Sequence, residues 1–313
     1  MYLVGDIGAT NARFALADGN GILSLGAELL CRDHPTLASA VEAYLARSSG
    51  TRPREAVIAV ATSPQGDSVS FTNNSWSFSI SELARELGLT HLRVINDFHA
   101  NALALPRLAA SDLTKVGGGT AVDGAPLGVI GPGSGLGVAA TLRVGNGFEV
   151  IAGEGGHVTL AAADDRESAV LTALRRRFGH VSAERVLSGP GIVNIYRALH
   201  EIDGSTPGQQ SAEDITAAGV ASCDAHAAEA VAMFCAMLGT AAGNLALTIG
   251  AHGGVYIAGG IVPKLGGAFA RSPFRERFED KGRFRDYLAR IPTFVIMRHH
   301  AALIGAAQLL GKR

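Results

Sequence analysis

Small and polar residues follow the first apolar segment of the chain, in the run Gly5-Asp6-Ile7-Gly8-Ala9-Thr10. Gly8 and Ala9 permit close approach to the backbone, so N–H groups and the Thr10 hydroxyl can face phosphate oxygens. Asp6, at the end of the segment, could hold Mg²⁺ directly or through water. An ordinary hairpin turn would have the same composition, so the run alone leaves both interpretations open.

A second glycine-rich run, Gly131-Pro-Gly-Ser-Gly-Leu-Gly137, joins two later apolar segments. Gly133 and Gly135 flank Ser134, and this alternation can form a backbone nest for an anion. No Gly-Lys-Ser/Thr follows, so the run is not a Walker A loop, and its spacing is not that of the dinucleotide fingerprint. Each glycine run is a weak signal alone, but the two together favour phosphate binding.

The pair Asn96-Asp97 stands at the end of a predicted strand. In open α/β sheets the carboxyl ends of strands face the ligand crevice, where Asp97 could act as general base toward a substrate hydroxyl. Asn and Asp are also good helix N-caps, and in isolation the capping interpretation is favoured.

Three later groups have a functional and a plain structural interpretation. In Gly153-Glu154-Gly-Gly-His157 the two glycines disfavour a helix and hence a di-iron site; Glu154 and His157 could converge on sugar hydroxyls or be exposed in a tight turn. Glu184 by itself indicates a solvated helix residue. The pair Gly259-Gly260 could let an adenine lie against the backbone, or form a plain strand-to-helix turn.

The apolar periodicity predicts strands alternating with helices, which indicates an α/β protein. We expect strands or hairpins at 2–8, 12–18, 22–31, 56–61, 68–76, 92–97, 126–144, 254–262 (with a helix after it) and 293–298. We expect helices at 36–47, 79–87, 98–105, most of 165–250 apart from loops at 188–191 and 203–210, and 301–310. The hairpins at 2–18 and 126–144 each enclose a turn of small residues, which indicates a duplicated unit and two similar lobes.

Composition excludes several classes of protein. The chain has 313 residues, 47% hydrophobic and 18% charged, which excludes a disordered or collagen-like chain. A net charge of −1 gives no general attraction to nucleic acid or to an anionic membrane. Three scattered cysteines predict neither a disulfide framework nor a zinc site, and they fit a reducing cytosol. Asp6 and Arg13 come too early for a secretory signal.

Three other stretches have plain explanations. We expect a buried helix and a buried strand in the uncharged stretch 230–263, although Gly239-Thr-Ala-Ala-Gly243 superficially resembles a membrane-helix motif. We expect solvated surface at Arg175–Arg177 and along 271–285. The 40 glycines are concentrated after residue 110, and we interpret this excess as backbone that approaches ligands.

In this order, these pieces resemble the bacterial glucokinase family, cytosolic ATP-dependent enzymes that phosphorylate glucose. The resemblance runs essentially end to end. It rests on VGDIGATNARF, TNNSWSFS (72–79), VINDFHA, GPGSGLGVA, GEGGHV, GHVSAERVLSGPG, GNLAL, GGVYIAGGIVP and FEDKGRF. The CxCGxxGCxE zinc motif of the related repressor/kinase (ROK) family is absent. Ala9 stands where many family members have glycine, and its small side chain still permits phosphate approach.

The resemblance implies the actin-like, ribonuclease-H-like ATPase fold, in which a smaller and a larger α/β domain face an active-site cleft. Because the family's last helix returns to the small domain, we expect residues 1–110 and 298–313 in that domain and 111–297 in the large one.

The resemblance also assigns roles to the candidate residues. Asp97 would be the catalytic base. The sugar would be held by Asn96, Asp97, Glu154, His157 and Glu184. ATP would contact Gly5, Asp6, Ile7, Gly8, Ala9, Thr10, Gly133, Ser134 and Gly135 through its phosphates, and Gly259 and Gly260 through adenosine. Mg²⁺ would be held by Asp6, directly or through water. We expect D-glucose and ATP as partners, no nucleic acid or membrane, a homodimer, and a cytoplasmic location.

The implied reaction is phosphoryl transfer from MgATP to the 6-hydroxyl of D-glucose, the first step of glycolysis. A kinase of mannose, fructose or an N-acetylhexosamine remains an alternative. A non-catalytic sugar sensor would need a DNA-binding element, and we expect none before the first strand. An actin- or chaperone-like ATPase would hydrolyse ATP without glucose.

Overall fold

The computed structural model describes residues 1–48, 52–64, 66–71 and 75–310. Its strands are β1 (Tyr2–Ile7), β2 (Asn11–Ala17), β3 (Leu23–Leu30), β4 (Glu55–Val60), β5 (Ser68–Ser70), β6 (Ser77–Ser79), β7 (His91–Asn96), β8 (Leu113–Val116), β9 (Leu127–Pro132), β10 (Leu136–Val144), β11 (Gly147–Gly153), β12 (Gly254–Ile257) and β13 (Thr293–Ile296). Its helices are α1 (Leu37–Arg47), α2 (Ile80–Glu86), α3 (Asp97–Ala104), α4 (Asp165–Phe178), α5 (Gly189–Ile202), α6 (Ala212–Val220), α7 (Ala225–Ile249), α8 (Ile261–Leu265), α9 (Gly267–Ala270), α10 (Phe274–Glu279), α11 (Arg285–Ala289) and α12 (Ala301–Ala307).

The chain divides into two compact units. The first comprises Met1–Ala109, Phe148–Ala152 and Arg298–Arg313, and the second comprises Ala110–Gly147 and Gly153–Met297. The expected division differs in two places. Ala110 was expected in the first unit but belongs to the second, and Phe148–Ala152 were expected in the second but belong to the first. Phe148–Ala152 continue a hairpin of the second unit in sequence, so only their tertiary contacts could assign them to the first.

The first unit is built on a mixed sheet with strand order β3-β2-β1-β4-β7. β1 and β2 form the predicted antiparallel hairpin, while β1, β4 and β7 run parallel. Ile7 lies opposite Val60, and Val60 lies opposite Asn96, so these three strands end at one edge of the sheet. The sequence runs that follow β1 and β7 therefore emerge side by side.

Both faces of this sheet are covered, as the continuous apolar runs of its parallel strands require. Leu3 and Ile7 of β1 belong to a core that includes residues of α1, while Val4 belongs to a second core that includes residues of α12. α12 also packs tightly on α3, where a Cβ at Gly305 would overlap the carbonyl of Ala100. The last described helix is thus part of the first unit.

The second unit contains a sheet with the order β10-β9-β12-β13-β8. β9 and β10 form the second predicted hairpin, and β12 runs parallel to both β9 and β13. This unit therefore also begins its central sheet with a hairpin and adds parallel strands beside it. The two hairpins expected from the sequence are confirmed.

α7 is the central helix of the second unit. It is long and apolar enough to cross a membrane by length and composition, but 67% of its apolar window is buried inside the structure. Gly239 and Gly243 face α10, and a Cβ at either position would overlap a backbone carbonyl, that of Phe274 or Phe278. The small-residue motif is a close helix–helix contact, and the expected buried helix and buried strand β12 are confirmed.

One local expectation is wrong and another holds only in part. The loop expected at 188–191 is instead the start of α5: Ser188 accepts a hydrogen bond from Gly191 N and caps the helix, and the glycine and proline that suggested a loop occupy its first turn. The solvated surface expected along 271–285 is present only in part. Charged residues such as Glu276, Arg283 and Arg285 are exposed, but the side chains of Arg275 and Arg277 are only 13% and 14% exposed and pair with carboxylates.

Other local expectations hold. Arg175–Arg177 are exposed in the last turn of α4, as expected. β5 and β6 pair as the expected hairpin, but residues 72–74 of its turn, and with them part of the TNNSWSFS motif, lie outside the described residues.

Candidate active site

The first glycine loop, Gly8–Thr10, joins β1 to β2 at the sheet edge. Gly8 N donates to Asn11 O at 2.9 Å, and Cys31 N donates to Thr10 O at 2.8 Å. A Cβ at Gly8 would lie 3.6 Å from Asn11 O, an ordinary van der Waals distance, so packing does not demand glycine there. Gly5 and Ile7 lie within β1, paired with strands on both sides, which leaves Gly8–Thr10 as the loop proper.

Asp6 faces a basic partner that the sequence interpretation missed. The hairpin register places Asp6 opposite Arg13, whose Nη1 lies 3.4 Å from Asp6 Oδ2, while its Nη2 lies 3.3 Å from Glu28 Oε1. Burial raises the pKa of Asp6, and the neighbouring Arg13 opposes this shift. The signal was available, because an arginine directly across a hairpin from an aspartate must lie near it.

Asn96 and Asp97 lie at the junction of β7 and α3. The Asn96 side chain caps α3 by accepting from Phe98 N at 2.8 Å and His99 N at 3.3 Å. Asp97 is the first helical residue, and Phe98 N donates to its Oδ1 at 2.9 Å. The capping interpretation is therefore confirmed for Asn96. Only β4 separates this pair from the end of β1, which at normal strand spacing is about 10 Å.

The second glycine loop is held by the segment that leads into α5. Gly133 N donates to Gly135 O within the loop at 2.8 Å, and Gly189 N donates to Gly133 O at 2.8 Å. Leu136 N, at the end of the loop, donates to Glu184 Oε2 at 2.9 Å. Among the described residues other than its chain neighbours, no heavy atom lies within 4 Å of a Cβ built at Gly133.

The turn after β12 packs directly against this loop. Gly259 has a φ of +83°, and a Cβ there would overlap the carbonyl of Pro132. Gly260 has open space around its Cβ position within the described part of the chain. The structure therefore brings Gly259 and Gly260 next to the loop that carries Ser134, as a shared nucleotide site requires.

Glu154 directly precedes a single 3-10 turn, Gly155–His157, which His157 ends. Their side chains are 64% and 59% exposed, with Nε2 and Oε2 3.9 Å apart. The two glycines between them are needed for packing, because a Cβ at Gly155 would lie 2.8 Å from Val138 Cβ and one at Gly156 would overlap the carbonyl of Leu136. The turn is thereby pressed onto the start of β10.

Glu184 lies beside these residues rather than on a solvated helix. It is half-buried in the 3-10 turn Ala183–Arg185. Ala183 N donates to Val158 O at 2.9 Å, which ties this turn to the segment that follows His157. The expectation of a solvated helix residue is therefore wrong. The sequence did not reveal the contact because Leu136, the partner of Glu184, lies 48 residues away along the chain.

The candidate residues therefore form two groups, one in each unit. The first unit brings together the loop after β1 and the Asn96-Asp97 pair. The second brings together the loop after β9, the turn after β12, the Glu154–His157 turn and Glu184. Within the described residues, no group of three or more His, Cys, Asp or Glu side chains could hold a metal ion.

Comparison with known proteins places this arrangement in a family. A sequence profile described as Glucokinase matches residues 3–313. The chain is 52% identical to a glucokinase of Aromatoleum aromaticum, over 98% of this chain and 94% of that one. It is 49% identical to a glucokinase of Chromobacterium violaceum, over 97% and 88%. The chain belongs to the glucokinase family.

A solved structure supports the same assignment. A glucokinase from an Antarctic psychrotroph superimposes with a TM-score of 0.87 at 36% identity, covering 99% of this chain and 98% of that one. The resemblance to the glucokinase family and the actin-like, ribonuclease-H-like fold expected from it are confirmed.

Proposed function

We propose that this member of the glucokinase family transfers the γ-phosphoryl group of ATP to the 6-hydroxyl of D-glucose, giving glucose 6-phosphate and ADP. The observation that carries the proposal is the end-to-end family match together with the grouping of Glu154, His157 and Glu184 around the second glycine loop. Polar groups suited to sugar hydroxyls thus lie beside backbone suited to phosphates.

Asp97 is the proposed general base. A carboxylate within hydrogen-bond reach of the 6-hydroxyl orients it and accepts its proton as the phosphorus–oxygen bond forms. The hydrogen bond from Phe98 N fixes the position of Oδ1, and the cap supplied by Asn96 fixes the first turn of α3 on which Asp97 stands. Rigid support of this kind is what positioning of a reacting group requires.

The remaining groups bind the two substrates. Glu154 and Glu184 accept hydrogen bonds from sugar hydroxyls, and His157 donates or accepts according to its tautomer. A site that bonds each hydroxyl rejects analogues that lack one, by as much as ~10⁴-fold. Backbone N–H groups of both glycine loops other than Gly8 N and Gly133 N, which donate to Asn11 O and Gly135 O, bind phosphate oxygens together with the Thr10 and Ser134 hydroxyls. The Gly259-Gly260 turn lies against adenosine.

The residues present would hold Mg²⁺ only together with the phosphates of a bound nucleotide. Mg²⁺ commonly keeps several waters and takes one or two carboxylates plus substrate phosphates. Asp6 is one such carboxylate, and the absence of a larger acidic cluster among the described residues is consistent with that mode. When bound, the ion would neutralise charge on the β- and γ-phosphates.

A coupled assay of ADP production with and without glucose tests the proposal. We expect ADP production to depend on glucose, with glucose preferred over mannose, fructose and N-acetylglucosamine in initial rates. Glucose-independent hydrolysis would favour a motor-type ATPase, and a faster rate with another hexose would change the assigned substrate.

We further propose a cytoplasmic location and a role at the entry to glycolysis. The chain has three cysteines, at positions 31, 223 and 235, and so few and so widely spaced cysteines suit a reducing compartment. The homodimer implied by the resemblance stays a prediction, which light scattering of the purified protein would check.

A further inference from the structure

Glu184 makes a contact that sugar binding does not explain. Its Oε2 accepts a hydrogen bond from Leu136 N at 2.9 Å, and Leu136 is the residue at which the second glycine loop enters β10. A carboxylate can accept several hydrogen bonds, so one oxygen can serve the loop while the other serves a sugar hydroxyl.

The carboxylate also occupies the place that a side chain at position 135 would need. A Cβ built at Gly135 would lie 2.5 Å from Glu184 Oε2 and 3.3 Å from Glu184 Cδ. Among the described residues, these are the neighbours found within 4 Å of that position once the adjoining residues are set aside. A side chain at position 135 would therefore have to displace the Glu184 carboxylate, whereas the backbone of the loop leaves it room.

The turn that carries Glu184 is itself firmly held. Ser188 Oγ donates to the Glu184 carbonyl at 2.8 Å, and Asn194 Nδ2 of α5 donates to the Arg185 carbonyl at 2.9 Å. Gly189 N then donates to Gly133 O, a second bond between this segment and the loop. The loop is thus fastened near both of its ends to a turn supported by α5.

We propose that Glu184 is a positioning residue for the second glycine loop, so that a sugar-binding carboxylate also sets nucleotide affinity. The inference rests on the proposed function, in which this loop binds ATP phosphates. Because the same carboxylate would contact the sugar and the loop, binding of sugar and binding of nucleotide are coupled, and by linkage each changes the affinity of the other by the same factor.

Calorimetric titration with MgADP in the absence of sugar tests the inference. E184A and E184Q remove the same charge, but Gln keeps an acceptor oxygen for Leu136 N. We expect E184A to bind ADP about tenfold more weakly than E184Q, the effect of losing one hydrogen bond to the loop. Amide hydrogen exchange at Leu136 should be faster in E184A than in E184Q.

Substitution of Gly135 tests the same hydrogen bond from the side of the loop. G135A should push the carboxylate off Leu136 N and speed amide exchange at Leu136, while G135A/E184A should exchange there no faster than E184A, because the methyl group then has room. H157A is the matched control: it should weaken glucose binding and leave sugar-free ADP binding unchanged.

The results distinguish a failure of the proposed function from a failure of the role proposed for Glu184. Wild-type protein that binds no ADP would overturn the function on which the inference rests. If the wild type binds ADP but E184A and E184Q bind it equally, with equal Leu136 exchange, the inference alone is overturned. The same holds if both variants bind ADP more tightly than wild type, since Glu184 would then act only through charge repulsion.

Discussion

Glycines in the second unit meet two different physical demands. Gly156, Gly239 and Gly259 lie so close to a carbonyl of another segment that a methyl group would overlap it. Gly133 and Gly260 have open space around the Cβ position within the described residues, and neither has a positive φ. Close packing therefore accounts for glycine in the first set. That glycines bring backbone to ligands stays a prediction, for the second set and also for Gly259, which the proposed function places against adenosine.

The variant Gly133→Ala tests whether glycine at this position serves nucleotide binding rather than packing. Because the structure offers room for the methyl group, we expect unchanged thermal unfolding, while a methyl beside bound phosphate should raise the KM for ATP about tenfold, equivalent to roughly one lost hydrogen bond. Gly208→Ala, in an equally open surface position, is the matched control and should change neither quantity. An unaltered KM in G133A would remove Gly133 from the nucleotide site.

Asp97→Ala tests the proposed base. We expect kcat to fall by about 10²–10⁴-fold, the usual contribution of general-base catalysis, while glucose still binds in calorimetry. Asn96 keeps its cap on α3 in this variant, so circular dichroism and thermal unfolding should match the wild type. Near-normal turnover would show that another group accepts the proton.

The sequence predicted those parts of the site that depend on residues close together along the chain. Asp6 and Asn96 were found because each ends a strand within a recognisable run, and Arg13 could have been found from the hairpin register. The contact of Glu184 with Leu136 joins distant segments, and no local pattern encodes it. The residue types indicated which groups can bind phosphate or sugar. Which of these groups lie close together depends on tertiary packing, which the sequence pattern does not show.

At the scale of elements, hydrophobic periodicity located most strands and helices but not their ends or burial. α5 begins earlier than expected because Gly and Pro are tolerated in a first helical turn after a serine cap. The charged stretch around α10 looked solvated because its pattern is mixed. Two of its arginines instead turn inward. Arg275 pairs with Glu279 of the same helix, and Arg277 pairs with Glu167 of α4, a contact that alternation of charge along the chain does not reveal.

The ion pair between α10 and α4 should be costly to break. Arg277 bonds Glu167 at 2.8 Å, with side-chain exposures of 14% and 2%, and the same arginine donates to Thr240 Oγ1. We expect R277M to lose about 3–5 kcal/mol of unfolding free energy, because it leaves Glu167 buried and unpaired. Urea denaturation measures the loss.

An exposed ion pair of the same unit provides the control. Lys264 and Glu213 are 67% and 80% exposed at 2.7 Å, so K264M should cost about 0–1 kcal/mol. A loss in R277M no larger than that in K264M would contradict the importance assigned to the buried pair.

For the molecule as a whole, stability should fall on mild acidification. The His200 ring stacks on His226 at 4.0 Å between centroids, and its Nδ1 lies 2.6 Å from Ser205 Oγ. Burial, and then the neighbouring His226, lower the pKa of His200 below its ordinary value of 6.5, whereas Asp224 and Asp203 oppose the shift. The unfolded chain therefore binds a proton more readily, and the stabilisation is present above about pH 6.5 and lost as pH falls below it.

His200→Leu keeps an apolar side chain in the stack but removes this titration. We expect its unfolding free energy to depend less steeply on pH than that of the wild type from about pH 7.5 to about pH 5. The dependence should be reduced rather than abolished, because burial also lowers the pKa of His99 and His300. Identical slopes for the two proteins would show that His200 does not titrate in this range.

The first unit draws its last helix, α12, from residues 301–307, and Gly305 presses that helix onto α3. During synthesis, therefore, the segment that begins the chain leaves the ribosome long before its covering helix exists. Apolar residues of β1 and β4 that α12 will bury, such as Val4 and Val57, stay uncovered while nearly the whole second unit is translated. Co-translational folding should thus complete the second unit first, and the nascent first unit is where a chaperone has the longest opportunity to bind.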